Sequence, residues 1–148
     1  MSNLWSIFAN SKISSFKNNT ISQNNSMTNW SGNGSGSVNI ETLGNQIYLT
    51  EVGCFNFDNG KSISTENEYL LIKKSNGTIS LSHTRFGRNK PVFLFDISFD
   101  NNKWLSIEPH LCVKDYYSCE IYTSKNTIYL NWNIVGPHKD EIISCIYS

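Results

Sequence analysis

Two short segments in the C-terminal half carry the side chains best suited to chemistry. The first is His110-Leu111-Cys112-Val113-Lys114-Asp115-Tyr116-Tyr117. The second runs from Trp132 to Gly136-Pro137-His138-Lys139-Asp140. His110 is a candidate general base, with Asp115 or Glu108 to orient its ring; a strand-end ring bonded to a backbone carbonyl is the plainer role. Asp115 shares strand parity with Val113, Tyr117 and Cys119. An inward carboxylate needs a partner, because leaving it unpaired costs several kcal/mol. Arg85, on the parity of Ile79, Leu81 and His83, has the same need. An Asp115–Arg85 pair inside the fold meets both needs, and two rim residues in water is the alternative. Cys112 is a weak nucleophile candidate, since positions i and i+2 of a strand stand about 7 Å apart. Lys139 beside Asp140 reads as a surface ion pair. No Gly-x-Ser-x-Gly, P-loop or metal quartet occurs, so the sequence calls for no cofactor and no metal.

The elements that must carry these residues are strands. The 148 residues include one alanine, Ala9, against 20 Asn, 21 Ser and 16 Ile, and aromatics make up 13%. Alanine favours helix, β-branched and aromatic residues favour strand, and Asn, Ser and Gly favour turns. Leu4 to Phe8 is expected to form one short helical turn. Lys12 to Ile21 reads as a first strand, followed by a polar turn at Gln23 to Ser26. From Trp30 to Ile40, one parity is Trp30, Gly32, Gly34, Gly36, Val38 and Ile40, and the other is all Ser and Asn. That is period two and hence a strand. Its glycines either let another backbone approach or leave a cavity.

Hairpin turns at Leu43-Gly44-Asn45, Asp58-Asn59-Gly60, Ser75-Asn76-Gly77, Asn101-Asn102 and Lys125-Asn126 separate further alternating runs. In Pro91 to Asp100, Phe93, Phe95, Ile97 and Phe99 are expected on one face. The count is about nine or ten strands with short connections. Closing such a meander hides its two edges, so the expected fold is an all-β, closed antiparallel up-and-down barrel, one domain over 1–148.

Twelve basic residues balance twelve acidic ones, which argues against a nucleic-acid partner. No apolar run reaches the length of a membrane span. The N-terminus has no secretory pattern, so a cytoplasmic location is expected. Cys54, Cys112, Cys119 and Cys145 show no paired spacing and are expected to be thiols.

The H-x-C-x-x-D-x-Y segment at His110–Tyr117, the W-x-x-x-G-P-x-K-D segment at Trp132–Asp140 and the terminal Tyr147 resemble a family of small proteins of unknown function. Tyr48-Leu49-Thr50-Glu51-Val52-Gly53 matches that family's Tyr-x-x-Glu-x-Gly strand, and Tyr69 matches part of a later Arg-x-Tyr strand. The resemblance covers roughly Trp30 to Tyr147 and implies a lipocalin-like (calycin) barrel with a pocket. This chain lacks the family's opening F-x-G-x-W, and Leu94 stands where a family His is expected.

The first functional expectation is a barrel that binds a small hydrophobic or amphipathic molecule. Its candidate wall residues are Trp30, Tyr48, Tyr69, Phe93, Phe95, Tyr117 and Trp132, with Arg85, His110 and Asp115 as orienting groups. An isomerase or hydratase using a His110–Asp115 acid-base pair is the second expectation. A protein-interaction domain using the outer face is the third. The oligomeric state has no signature in the sequence.

Overall fold

The computed structural model describes residues 4–10, 13–23, 26 and 30–148. The expected strand start at Lys12 and the Asn24-Asn25 part of the expected turn lie outside the described residues. Helix α1 (Leu4–Ala9) precedes strands β1 (Ser15–Ser22), β2 (Gly32–Leu43), β3 (Gln46–Phe57), β4 (Ser62–Lys73), β5 (Ile79–His83), β6 (Val92–Asp100), β7 (Lys103–Ser106), β8 (His110–Cys112), β9 (Asp115–Ser124), β10 (Thr127–Val135) and β11 (Asp140–Tyr147). Every pairing is antiparallel. β1 joins β2 on one side and β11 on the other, and β10 joins both β9 and β11. Ten strands thus close into a barrel. The three-residue β8 pairs with β9 alone.

Local sequence explains the meander. Gly44, Gly60 and Gly77 take positive φ at three hairpin ends, where L side chains would be strained. Asn101 and Asn102 both have positive φ (51° and 66°), as a two-residue type I′ turn requires and Asn tolerates. The weakest seam is β7 against β9, with only Trp104↔Ile121 and Leu105↔Glu120 in register. Beyond it β9 turns to β8 instead.

One half of the barrel is filled. Ile47, Leu49, Leu71, Leu81, Ile97, Ile121, Ile128 and Leu130 point inward and are buried. Helix α1 sits against this half, with Leu4 and Phe8 buried in the same cluster. Six residues are too few for a stable isolated helix, so α1 depends on burying those two side chains.

The other half is faced on one side by β2, where Gly32, Gly34 and Gly36 take the inward-alternating positions. Gly36 lies opposite Gly53 of β3 in the ladder. A side chain on Gly36 would collide with the Val52 carbonyl, and one on Gly53 with the Ser35 carbonyl. The glycines therefore serve both roles open to them. Gly36 and Gly53 allow β2 and β3 to approach closely, and Gly34 borders a cavity.

Two expected wall residues face outward. In the β5–β6 ladder Leu81 pairs with Phe95 but Ser82 pairs with Phe93, so the register shifts at Leu94. That bulge turns Phe93 to the outer side, where it is 53% exposed, while Phe95 stays buried. Period two read across a bulge assigns one of its flanks to the wrong face. Tyr48 has the opposite parity to Ile47, Leu49 and Glu51 and lies on the outside, beneath Arg88, whose guanidinium carbon is 3.9 Å from the ring centroid.

Gly36→Ala is expected to lower stability by about 1–3 kcal/mol, the usual cost of forcing an extra carbon into a packed site. A chemical-denaturation midpoint unchanged from the parent would show that β2 can move away from β3 without loss.

Candidate ligand site within the barrel

The unfilled half of the barrel holds a cavity of about 730 Å³. Its floor is built from β3, β4, β10 and β11. Glu51, inward on β3 after Ile47 and Leu49, is 4% exposed. The Tyr147 hydroxyl of β11 donates to Glu51 Oε2 at 2.8 Å. Burial raises the Glu51 pKa, and hydrogen bonds from Tyr147 and Asn67 partly offset the rise. The same burial, with the nearby Glu51 charge, pushes the Tyr69 and Tyr147 hydroxyls well above their ordinary values. The Cys145 thiol is pushed up to about 12, chiefly by burial. Tyr69 and Trp132 stack with centroids 6.0 Å apart and planes at 29°, and Phe95 closes on Trp132 at 5.9 Å. Phe8 of α1 meets the Tyr147 ring edge-on at 6.4 Å, so the floor rests on the filled core.

The β5 side of the cavity is basic. His83 continues the inward parity of Ile79 and Leu81, and Arg85 follows in the turn. The Arg85 backbone N–H donates to His83 Nδ1 at 3.3 Å, which makes that nitrogen the acceptor. The His83 pKa is lowered by burial first, then by the charges of Arg85 and His110. His110, on β8, and Tyr117, on β9, sit side by side with centroids 6.4 Å apart and line the same cavity.

Of the residues singled out from sequence, Trp30, Tyr69, Arg85, His110, Tyr117 and Trp132 line one cavity. Trp30 is at its rim, packed on Phe57 at 5.2 Å. Phe95 packs beneath it against Trp132, while Tyr48 and Phe93 lie outside the barrel wall. Asp115 is also outside the lining. Its Oδ2 is 3.8 Å from Lys139 Nζ, and its other oxygen lies against Gly136, where a side chain would collide with it. The expected Asp115–Arg85 pair is therefore replaced by Asp115–Lys139. The strand begins at Asp115 itself, so inward parity carries little force there. Lys139 pairs with that aspartate and not with its neighbour Asp140.

The sequence reading missed Glu51 and His83 as site residues. Both were findable by the rule applied to Asp115, since each is a polar group on an otherwise apolar parity. No group of three or more His, Cys, Asp or Glu suited to a metal ion occurs among the described residues.

Tyr147→Phe is expected to cost about 1.5–3 kcal/mol, the range for a hydrogen bond to a charged partner. Glu51→Gln tests the pH linkage. Glu51 holds its proton to higher pH folded than unfolded, so it lowers stability as pH rises above the ordinary glutamate value. The stability advantage of Glu51→Gln should be absent at acid pH and grow toward neutrality in thermal melts. A constant difference across pH would mean that Glu51 is not desolvated.

Comparison with known proteins agrees with the expectation of a family of unknown function. No curated protein and no solved structure matches the chain. One family model does, and it spans β1 to the C-terminus: the chain belongs, through residues 16–148, to DUF6314, a family of unknown function.

Proposed function

We propose that this protein is a lipocalin-like container that binds one small amphipathic molecule inside its barrel. The observation that carries this reading is the 730 Å³ cavity with an aromatic floor and convergent polar groups. Small-molecule sites commonly span about 300–1,000 Å³ and combine apolar walls with a few placed polar groups. Tyr69 and Trp132 supply flat apolar surface, and Glu51, Asn67, His83 and His110 supply hydrogen bonds. The unpaired Cys54 and Cys112 thiols, both exposed, favour a reducing, cytoplasmic setting. No described helix is long and apolar enough to cross a membrane.

Catalysis by a His110–Asp115 pair is the weaker reading, because Asp115 turns to Lys139. If the barrel is an enzyme, Glu51 is the better acid-base group. It is buried in the cavity, and its raised pKa keeps a proton available at higher pH than an ordinary glutamate would.

The uncharged dye N-phenyl-1-naphthylamine should bind with one-to-one saturation and a rise in fluorescence. Leu94→Trp, which adds bulk to the cavity lining, should weaken that binding at least about fivefold, since overfilling commonly costs about 1–3 kcal/mol. Dye binding that survives Leu94→Trp unchanged would place the dye on the surface and defeat the reading.

A further inference from the structure

The protein has two arginines, and they are used differently. Arg88 is fully engaged outside the barrel, bonded to Glu41 at 3.0 Å and to Glu68 at 3.0 Å while it covers Tyr48. Arg85 lines the cavity. Among the described residues its side chain has no carboxylate within ion-pair distance. The other charged side chain of this size in the lining, Lys139, is already matched to Asp115. Arg85 is therefore the cavity's unmatched permanent cation, and it stands beside two imidazoles, His83 and His110.

A guanidinium fork takes a planar carboxylate in two parallel hydrogen bonds. The neighbouring imidazoles can add one N–H donor each. The carboxylates of the lining set the limit on charge. Glu51 closes the floor, and Glu66 and Glu141 also line the cavity. A doubly charged phosphate would add its second charge near Glu51 and Glu66 with one guanidinium to offset it, whereas a single carboxylate is matched by that guanidinium. The stacked Tyr69–Trp132 pair offers a flat apolar bed for the rest of the molecule.

We propose that the ligand is a monocarboxylate with a flat apolar body, its carboxylate held by Arg85 beside His83 and His110 and its body laid on Tyr69 and Trp132. This rests on the cavity-binding reading given above and adds the chemical class of the ligand.

The test is competition against bound N-phenyl-1-naphthylamine by two probes of nearly equal shape, 2-naphthoate and 2-naphthamide. Naphthoate should displace the dye at a concentration about tenfold below that needed by the amide, the ratio a charge-assisted hydrogen-bond pair supplies. Arg85→Gln should abolish that preference, read as the naphthoate-to-amide ratio against each variant's own dye affinity, Arg85→Lys should retain part of it, and Arg88→Gln should leave it whole. Arg85 is exposed in a turn, so the substitutions threaten no core packing. Equal displacement by both probes, or a preference that survives Arg85→Gln, would overturn the carboxylate assignment and leave the container reading standing. Failure of the dye to enter the parent protein would overturn both.

Discussion

Closing ten strands encloses a volume that side chains must fill or leave open, and the inward face of β2 decides between the two. Eight strands already enclose a space that side chains just fill; ten enclose more. At one end Ile, Leu and the two anchors of α1 fill it. At the other, Gly32, Gly34 and Gly36 present no side chain to the interior, and their partner strand moves in against Gly36 instead. Of the three, Gly34 borders the cavity, where it makes room for the Asn18 amide. The close β2–β3 contact follows from Gly32, Gly36 and Gly53, whose missing side chains let the two backbones meet.

Glu51 and Tyr147 mark the plane where the filled half ends. A carboxylate at that depth is costly unless hydrogen-bonded. The Tyr147 hydroxyl and Asn67 reduce the cost without cancelling it, which is why the Glu51 pKa remains raised. Tyr147 is set by its place near the end of β11, where its ring packs on Phe8 and its hydroxyl reaches across the barrel. The N-terminal helix thus bears on the site through one aromatic contact. Its two buried side chains close the apolar end and back the residue that orients Glu51.

Much of the fold was legible because turns and alternation are local. The Asn-Gly hairpins and the period-two runs place most strands correctly, and closure follows from the need to hide edges. The site was legible only where alternation continued unbroken. Tyr69, Tyr117 and Trp132 sit mid-strand, and their faces follow from their neighbours. Phe93 is separated from Phe95 by a bulge that no local signal announces, since the register slip arises from how β5 and β6 meet. Tyr48 is aromatic, but it alternates with the buried Ile47 and Leu49, and that parity puts it outside. Asp115 begins its strand, where backbone direction is set by the β8–β9 turn. Its partner was open to several choices in one dimension, and Lys139 prevails because the β10–β11 connection brings Gly136 against it.

The distribution of charge around the cavity argues for binding more directly than for turnover. An acid-base enzyme needs its proton donor and acceptor close enough to act on one reacting centre. Here the basic groups of β5, its following turn and β8 border the cavity on one side, and the buried acid, Glu51 of β3, lies at the floor against Tyr147 of β11. That separation suits a molecule held at two ends: an anionic group against Arg85 and a hydrogen-bonding or apolar end over Glu51, Tyr69 and Trp132. The pairing of Asp115 with Lys139 fits the same reading, because it leaves Arg85, exposed at the cavity's edge, without a carboxylate partner among the described residues. A wall built for catalysis by His110 would have spent Asp115 on orienting the imidazole. This one uses Asp115 to fix the β10–β11 connection beside the cavity, and leaves His110 free to turn toward whatever Arg85 holds.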